Sequence, residues 1–367
     1  MSTTELERPA PPAGPPSTRV SLRGRYGLQV TWIVGGLIAI LVTAVIGVQL
    51  GTAGASFGGV LDAIWSRVTG ASPADPAAQQ LQTIIWELRL PRVLLAVLGG
   101  AALGVAGALF QGLLRNPLVS PYTLGIAPAA ALGASIAVIF FGSATGGSGI
   151  GLVIGALVLA LLNTALVLTL ASVKRLDATT LILVGVALTQ LFGALTAGIQ
   201  YFAEDEVLAA IVRWTWGSVN NAVWYQVLTL GILLVLAYPY LQVRSGAINA
   251  IAFAGDDAAK TLGINVGRVR ISVIGLAAVL TAVTIAFTGI IGFVGLVGPH
   301  IARLIIGPNH RFLIPFSAIT GALLLVVADS VGRLLLAPAV IPVGIIDALV
   351  GAPIFIYLIL TRRKALA

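Results

Sequence analysis

Long apolar runs without a single charge recur along the chain and set the first expectation. Val93 to Leu114, Asn116 to Val173, Ala178 to Ala203, Trp214 to Val243 and Ile271 to Pro299 contain no Asp, Glu, Lys or Arg. Each meets or exceeds the roughly 20 residues that a helix needs to cross a bilayer. The strands of a membrane barrel would alternate apolar and polar side chains, and none of these runs does. The pattern predicts an all-α integral membrane protein with about ten transmembrane helices. The expected spans are Val30–Leu50, Val93–Leu114, Thr123–Phe141, Gly151–Val173, Thr179–Phe202, Trp224–Val243, Ile271–Ile291, Val294–Ile306, Phe312–Leu336 and Val343–Leu360. The long second run is split near Gly142 to Gly149. The eighth span is short and sits between close turns, so it is expected to be broken or tilted.

The one long polar interruption inside this apolar body is Arg244 to Arg270, with four cations and the carboxylates Asp256 and Asp257. Asp256 and Asp257 suit the first turn of a short helix, whose dipole favours anions. Ala258, Ala259, Lys260, Thr261 and Leu262 continue it, and Gly263 is a natural C-terminal stop. Ile264 to Gly267, with Asn265, begin a second helical piece. A helix–turn–helix with Ala and Leu on one side is shaped to fill a groove in a partner.

Composition sharpens this reading. Of 367 residues, 58% are hydrophobic and 9% charged, against roughly 25% charged in soluble domains. The chain has no cysteine, which excludes a disulfide framework, a thiolate nucleophile and a Cys-based metal site. The net charge of +8 reflects topology rather than a nucleic-acid partner. With the N-terminus inside, only Arg67, Arg89, Arg92, Arg213 and Arg333 fall outside, and the other sixteen of the 21 Lys and Arg residues lie inside. That bias agrees with the positive-inside rule, and both termini are expected in the cytoplasm of a multi-pass inner-membrane protein. Residues 1–28 read as a disordered Pro-rich cytoplasmic tail. Residues 29–364 read as one transmembrane domain with a cytoplasmic loop over 244–270.

Catalytic signatures are missing. No Gly-Lys pair occurs in the chain, so it cannot hold ATP in a P-loop. His300 and His310 are ten residues apart and lack a neighbouring acidic ligand, which argues against zinc. Ion-coupled carriers place ionisable groups mid-span, and only Asp329 and Asp347 qualify, both toward the outer ends of their helices. Asp329 and Arg333 are four apart on one helix face and can pair. Arg89 and Arg92 lie at the outer mouth of a span, against the charge trend. With Arg333 they are expected to form an outward basic patch for an acidic partner, because arginine pairs carboxylates bidentately. Between Arg115 and Gly125 two prolines and a glycine break the helix. Gly100, Gly104 and Gly107, and Gly289, Gly292, Gly295 and Gly298, are expected to lie along helical faces that allow close packing.

At these residues the chain resembles the FecCD/BtuC family of ABC-importer permeases, which carry iron–siderophore complexes, haem or vitamin B12. The resemblance rests on Arg89-Leu-Pro-Arg92, RNPLVSPYTLGI from Arg115, GDDAAKTLGINVGRVR from Gly255, GFVGLVGPHIARLIIGPNHR from Gly292, ADSVGRLL from Ala328 and IPVGIIDALVGAPIFIYLI from Ile341. It implies a BtuC-like type II importer permease, most simply for an iron–siderophore complex, with haem or cobalamin as the alternative. It implies two cytoplasmic ATPase subunits, which bind the ATP and magnesium, a second permease subunit (identical or paralogous), an extracytoplasmic binding protein and a lipid surround. By the same resemblance Gly255, Asp256, Asp257, Ala258, Ala259, Leu262, Gly263 and Asn265 belong to the ATPase-coupling segment. Arg89, Arg92 and Arg333 would dock the binding protein. Asn116, Leu118, Ala178, Thr179 and Thr180 lie near the cytoplasmic gates, with Ala178 departing from the hydroxyl found in the B12 permease. The competing class, an ion-coupled carrier acting alone, predicts mid-membrane ionisable residues and inverted-repeat broken helices.

Overall fold

A computed structural model describes residues 22–50, 56–71, 75–141, 150–173 and 178–362, and no strand occurs among them. The helices, in order, are α1 (Leu22–Gln49), α2 (Phe57–Thr69), α3 (Pro76–Thr83), α4 (Leu90–Leu113), α5 (Ile126–Phe141), α6 (Ile150–Val173), α7 (Ala178–Phe202), α8 (Asp205–Thr215), α9 (Trp224–Thr261), α10 (Val266–Thr288), α11 (Val294–Ile306), α12 (His310–Leu334) and α13 (Val343–Arg362). Seven of the described helices are long and apolar enough to cross a membrane, and α5, α11 and α13 are shorter apolar helices. These ten account for the ten expected spans. The first 21 residues of the expected tail, the split at 142–149 and the Lys174-Arg175 pair lie outside the described residues. Helix α1 already begins at Leu22, so the last residues assigned to the tail are helical.

Helix α4 is the central post. Its residues from Ala102 to Leu113 are all buried, with α12, α9, α10 and α11 packed around it. Small residues make that possible: a Cβ on Gly104 would strike the Ser317 carbonyl, and one on Gly107 the Gly295 carbonyl. Such faces bring backbones together where lipid supplies no hydrophobic drive. The outer helices are apolar all round, as in α1, where Leu37 is 55% and Leu41 65% exposed.

Two breaks interrupt the bundle. Helix α10 ends at Thr288, residues 289–293 are non-helical, and α11 starts at Val294. The Phe293 N–H donates to an Asp347 oxygen on α13 at 2.8 Å, which ties the start of α11 to α13. The expected stripe of Gly289, Gly292, Gly295 and Gly298 is therefore not one helical face. Gly289, at φ 67°, packs on the Trp214 carbonyl, and Gly292 meets nothing within 4 Å of its would-be Cβ. The break removes the helical period that the spacing implied. The other break follows α4. Arg115 takes φ 49°, the chain runs non-helically to Ser120, and a 3-10 turn at Pro121–Leu124 leads into α5. Pro121 lies against Gly295, so this segment folds back into the bundle beside the start of α11. Irregular backbone is tolerated at that depth because protein covers it: Val119, Ser120, Pro121 and Leu124 are buried, and the Leu124 carbonyl accepts from Asn163 Nδ2 at 2.9 Å.

The polar stretch is also not the loop that its charges suggested. Helix α9 continues through Arg244 to Ala254, because nothing in that stretch breaks a helix, and departs from helical geometry only at Gly255. The two ends of the bundle are named below by their markers, the Gly255 end and the Arg333 end.

Candidate functional site

At the Gly255 end a short helical turn stands on two glycine hinges. Gly255 adopts φ 85°, ψ 175° inside α9, which an L side chain rarely adopts. The Arg115 guanidinium also fills its side, with Nη1 3.0 Å from where a Cβ would lie. The helix restarts at Asp256 and ends at Thr261, with Leu262 its C-terminal cap. Gly263, at φ 79°, donates to the Lys260 carbonyl at 2.9 Å, and Ile264 N–H to the Ala259 carbonyl at 3.1 Å. These two bonds make a Schellman closure, which satisfies carbonyls left open at the helix end. Asn265 then caps α10, its Oδ1 accepting from Arg268 N–H at 3.0 Å. The expected helix–turn–helix is present with the expected punctuation.

Ala259 faces inward and is fully buried, while Leu262 is 68% exposed. Asp257 and Lys260 pair at 2.9 Å on the open side, and Thr261, Gly263 and Asn265 are exposed with them; Ala258 is half-buried. The turn thus shows one apolar side chain amid polar groups, with a fixed backbone beneath. Asp256 points the other way. Its two oxygens accept from Arg270 Nη1 at 3.0 Å and Nη2 at 2.8 Å, and Arg270 also donates to the Leu113 carbonyl at 3.3 Å. Sequence reasoning counted Arg270 only as one more inside charge. The signal that could have found the pair was a cation only five residues into a helix whose neighbours are apolar.

The proposed gate segments adjoin this end. Asn116 N–H donates to the Gln111 carbonyl, and its own Oδ1 accepts from Leu118 N–H at 2.9 Å. That side-chain turn holds Leu118 outward, 52% exposed. Ala178, Thr179 and Thr180 form the first turn of α7, with Thr179 exposed. Both segments lead to the Pro121–Leu124 turn: the first runs into it, and α7 packs on it where Gly185 meets the Thr123 carbonyl.

At the Arg333 end the three singled-out arginines come together, but not as an open patch. Arg92 forks onto Asp329 through Nε at 3.0 Å and Nη2 at 2.8 Å. Arg333 reaches the other Asp329 oxygen at 3.1 Å and donates to the Gly47 and Leu50 carbonyls at 2.8 and 3.0 Å. Arg89 donates to the Val48 and Gln49 carbonyls at 3.0 and 3.2 Å. The side chains of Arg92, Arg333 and Asp329 are 13%, 8% and 3% exposed, and Arg89 is buried as well. In the chain by itself the expected exposed patch is an internal cluster. The cause is the end of α1, where carbonyls lack intrahelical donors: those of Gly47, Val48 and Gln49, with Leu50 just beyond, take them from Arg89 and Arg333. The Asp329–Arg333 pair itself is present as expected.

The geometry is thus an exposed polar turn carried on an apolar helical bundle whose helices are broken inside. The chain belongs to the FecCD transport family, whose pattern it matches over residues 37–361, and it is a permease of the ABC-importer class. It is 40% identical over 294 residues to the vitamin B12 import system permease protein BtuC of Vibrio cholerae, covering 80% of this chain and 88% of that one. It is 37% identical over 282 residues to the hemin transport system permease protein HmuU of Yersinia pestis, covering 76% and 84%. A transporter solved in an inward-facing conformation, and described as of the metal-chelate ABC type, superposes with a TM-score of 0.78 at 33% identity, covering 90% of this chain and 99% of that one. Other relatives are named for molybdate in Haemophilus influenzae and Fe(3+)-citrate in Bacillus subtilis. Family membership sets the transporter class and leaves the cargo open.

Proposed function

We propose that the chain is the membrane-spanning subunit of an ATP-driven importer that carries an iron–siderophore complex across the cytoplasmic membrane. The observation that carries this reading is the Asp256–Asn265 turn, a hinged, exposed and internally braced helix on a chain without a nucleotide motif. Two cytoplasmic ATPases would bind ATP and magnesium and seat this turn in a cleft, with Leu262 as the apolar contact. A second permease subunit, identical or paralogous, completes the pathway. No chemistry occurs in this chain. ATP binding pushes the turn, the pathway opens outward, and hydrolysis resets it. Asn116, Leu118 and Ala178 to Thr180 then guard the inner mouth.

The charge bias supports placing the Gly255 end, and both termini, in the cytoplasm. The Arg333 end then faces the binding protein. Arg92 and Arg333 there share the Asp329 carboxylate, and Arg89 beside them donates to backbone carbonyls, so acidic groups on a docked lobe would complete their pairing. The metal-chelate neighbour supports a metal complex as cargo. Cobalamin or haem is the second reading, favoured by the relatives named for vitamin B12 and hemin. Uptake of radiolabelled ferric siderophore, cobalamin and hemin by proteoliposomes holding the whole transporter and its binding protein tests the choice. Saturable ATP-dependent uptake of the ferric siderophore supports the proposal. Uptake of cobalamin or hemin in its place overturns it.

A further inference from the structure

We infer that Arg270 is a positioning residue for coupling: it braces the Asp256–Asn265 turn to the end of α4, so that a push on the turn reaches the Asn116–Leu124 segment. This rests on the proposed role of the turn. The turn hangs from the bundle by glycines at positive φ, Gly255 at one end and Gly263 at the other. A lever with a hinge at each end can swing without moving what it hangs from. Something else must carry the load inward. Arg270 is placed to do so, being only 2% exposed and holding Asp256, the first residue past the hinge, with both terminal nitrogens at 3.0 and 2.8 Å. The same guanidinium donates to the Leu113 carbonyl at 3.3 Å, in the last turn of α4.

A second strut lies alongside. Arg115 sits against the Gly255 backbone and is the residue at which the chain turns out of α4, with φ 49°. Directly after it come Asn116 and Leu118, closed by their own side-chain turn, and then the segment that folds back into the bundle. The two arginines therefore join the Gly255 hinge and the residue just past it to one short stretch, Leu113 to Arg115. Stability alone does not explain the arrangement, because a buried ion pair is often replaceable by apolar side chains at no loss. A planar fork fixes direction as well as distance, which a lysine in the same place would not.

The chain has no cysteine, so spin labels can be placed without other changes. Pro117→Cys and Thr261→Cys, both at exposed positions, report the separation of the two segments by electron–electron double resonance in nanodiscs. A narrow distance distribution is expected with Arg270 present, a broad one in Arg270→Met, and an intermediate one in Arg270→Lys. In the complex with the ATPase, Arg270→Met is expected to raise the ATP hydrolysed per substrate imported by tenfold or more, with the ATPase still co-purifying. An unchanged distance distribution and an unchanged ratio in Arg270→Met overturn the inference, since a merely structural residue would lower yield and leave both as they were. Should Arg270→Met fail to fold, Asp256→Asn, which keeps the bond to Leu113, decides by the same two readings. If the unaltered chain never engages an ATPase, the proposed function falls, and the label distances still decide the brace.

Discussion

Asp329→Ala probes the charge cluster at the Arg333 end most directly. The carboxylate is 3% exposed and is the counter-ion of two guanidiniums, Arg92 at 13% and Arg333 at 8% exposure. Removing one partner of a buried pair costs about 3–5 kcal/mol, because the other charge stays buried and uncompensated. Two features pull the expectation toward the lower figure. Arg333 keeps its bonds to the Gly47 and Leu50 carbonyls, and Arg92 keeps some access to water. The expected loss is therefore about 3 kcal/mol, roughly a hundredfold in the folding equilibrium. Unfolding of the purified chain by SDS in mixed micelles measures it. Trp86 and Trp224 lie 5.1 Å apart at this end, and their fluorescence is the probe. Adding Arg92→Met to Asp329→Ala should recover part of the loss, because the second change removes an unpaired charge. A loss below about 1 kcal/mol for Asp329→Ala, with no recovery in the double variant, would refute the buried cluster.

Other expectations follow from single positions. Gly104→Val drives a side chain into the Ser317 carbonyl on α12 and should cost about 1–3 kcal/mol or more in the same titration; an unchanged midpoint would contradict the close approach of α4 and α12. Gly263→Ala keeps the fold but strains a residue at φ 79° by about 1–2 kcal/mol, so hydrogen exchange over residues 256–264 should quicken severalfold while the core stays protected. Leu262→Asp changes an exposed side chain and should leave unfolding within about 0.5 kcal/mol, yet separate ATP hydrolysis from import.

The spans were legible because apolar length alone decides membrane insertion, and the runs from Val93, Ala178 and Ile271 exceed what it requires. The short helix of this turn was legible because its punctuation is local: Asp256 and Asp257 at the start and Gly263 at the stop; the Gly255 hinge and the Asn265 cap were not. What escaped notice depends on partners far away in sequence. Arg92 finds Asp329 across 237 residues, and Arg333 finds Gly47 across 286, so a residue-by-residue reading could place these cations on a side of the membrane but not inside the protein. Arg270 escaped for the same reason: its use is set by Leu113 and Asp256 jointly. The Arg244–Ala254 helix was not legible, because polarity does not separate an exposed helix from a loop. An exposed helix carries charge as readily as a loop does, and only Gly255 breaks this one.

The most direct test of the account places the chain in proteoliposomes with its binding protein and ferric siderophore, with and without the cognate ATPase, and measures uptake of the labelled iron. The account predicts uptake only when ATPase and ATP are both present, and none for Leu262→Asp although ATP is still hydrolysed. Uptake by the chain without an ATPase, driven by an ion gradient, would contradict it.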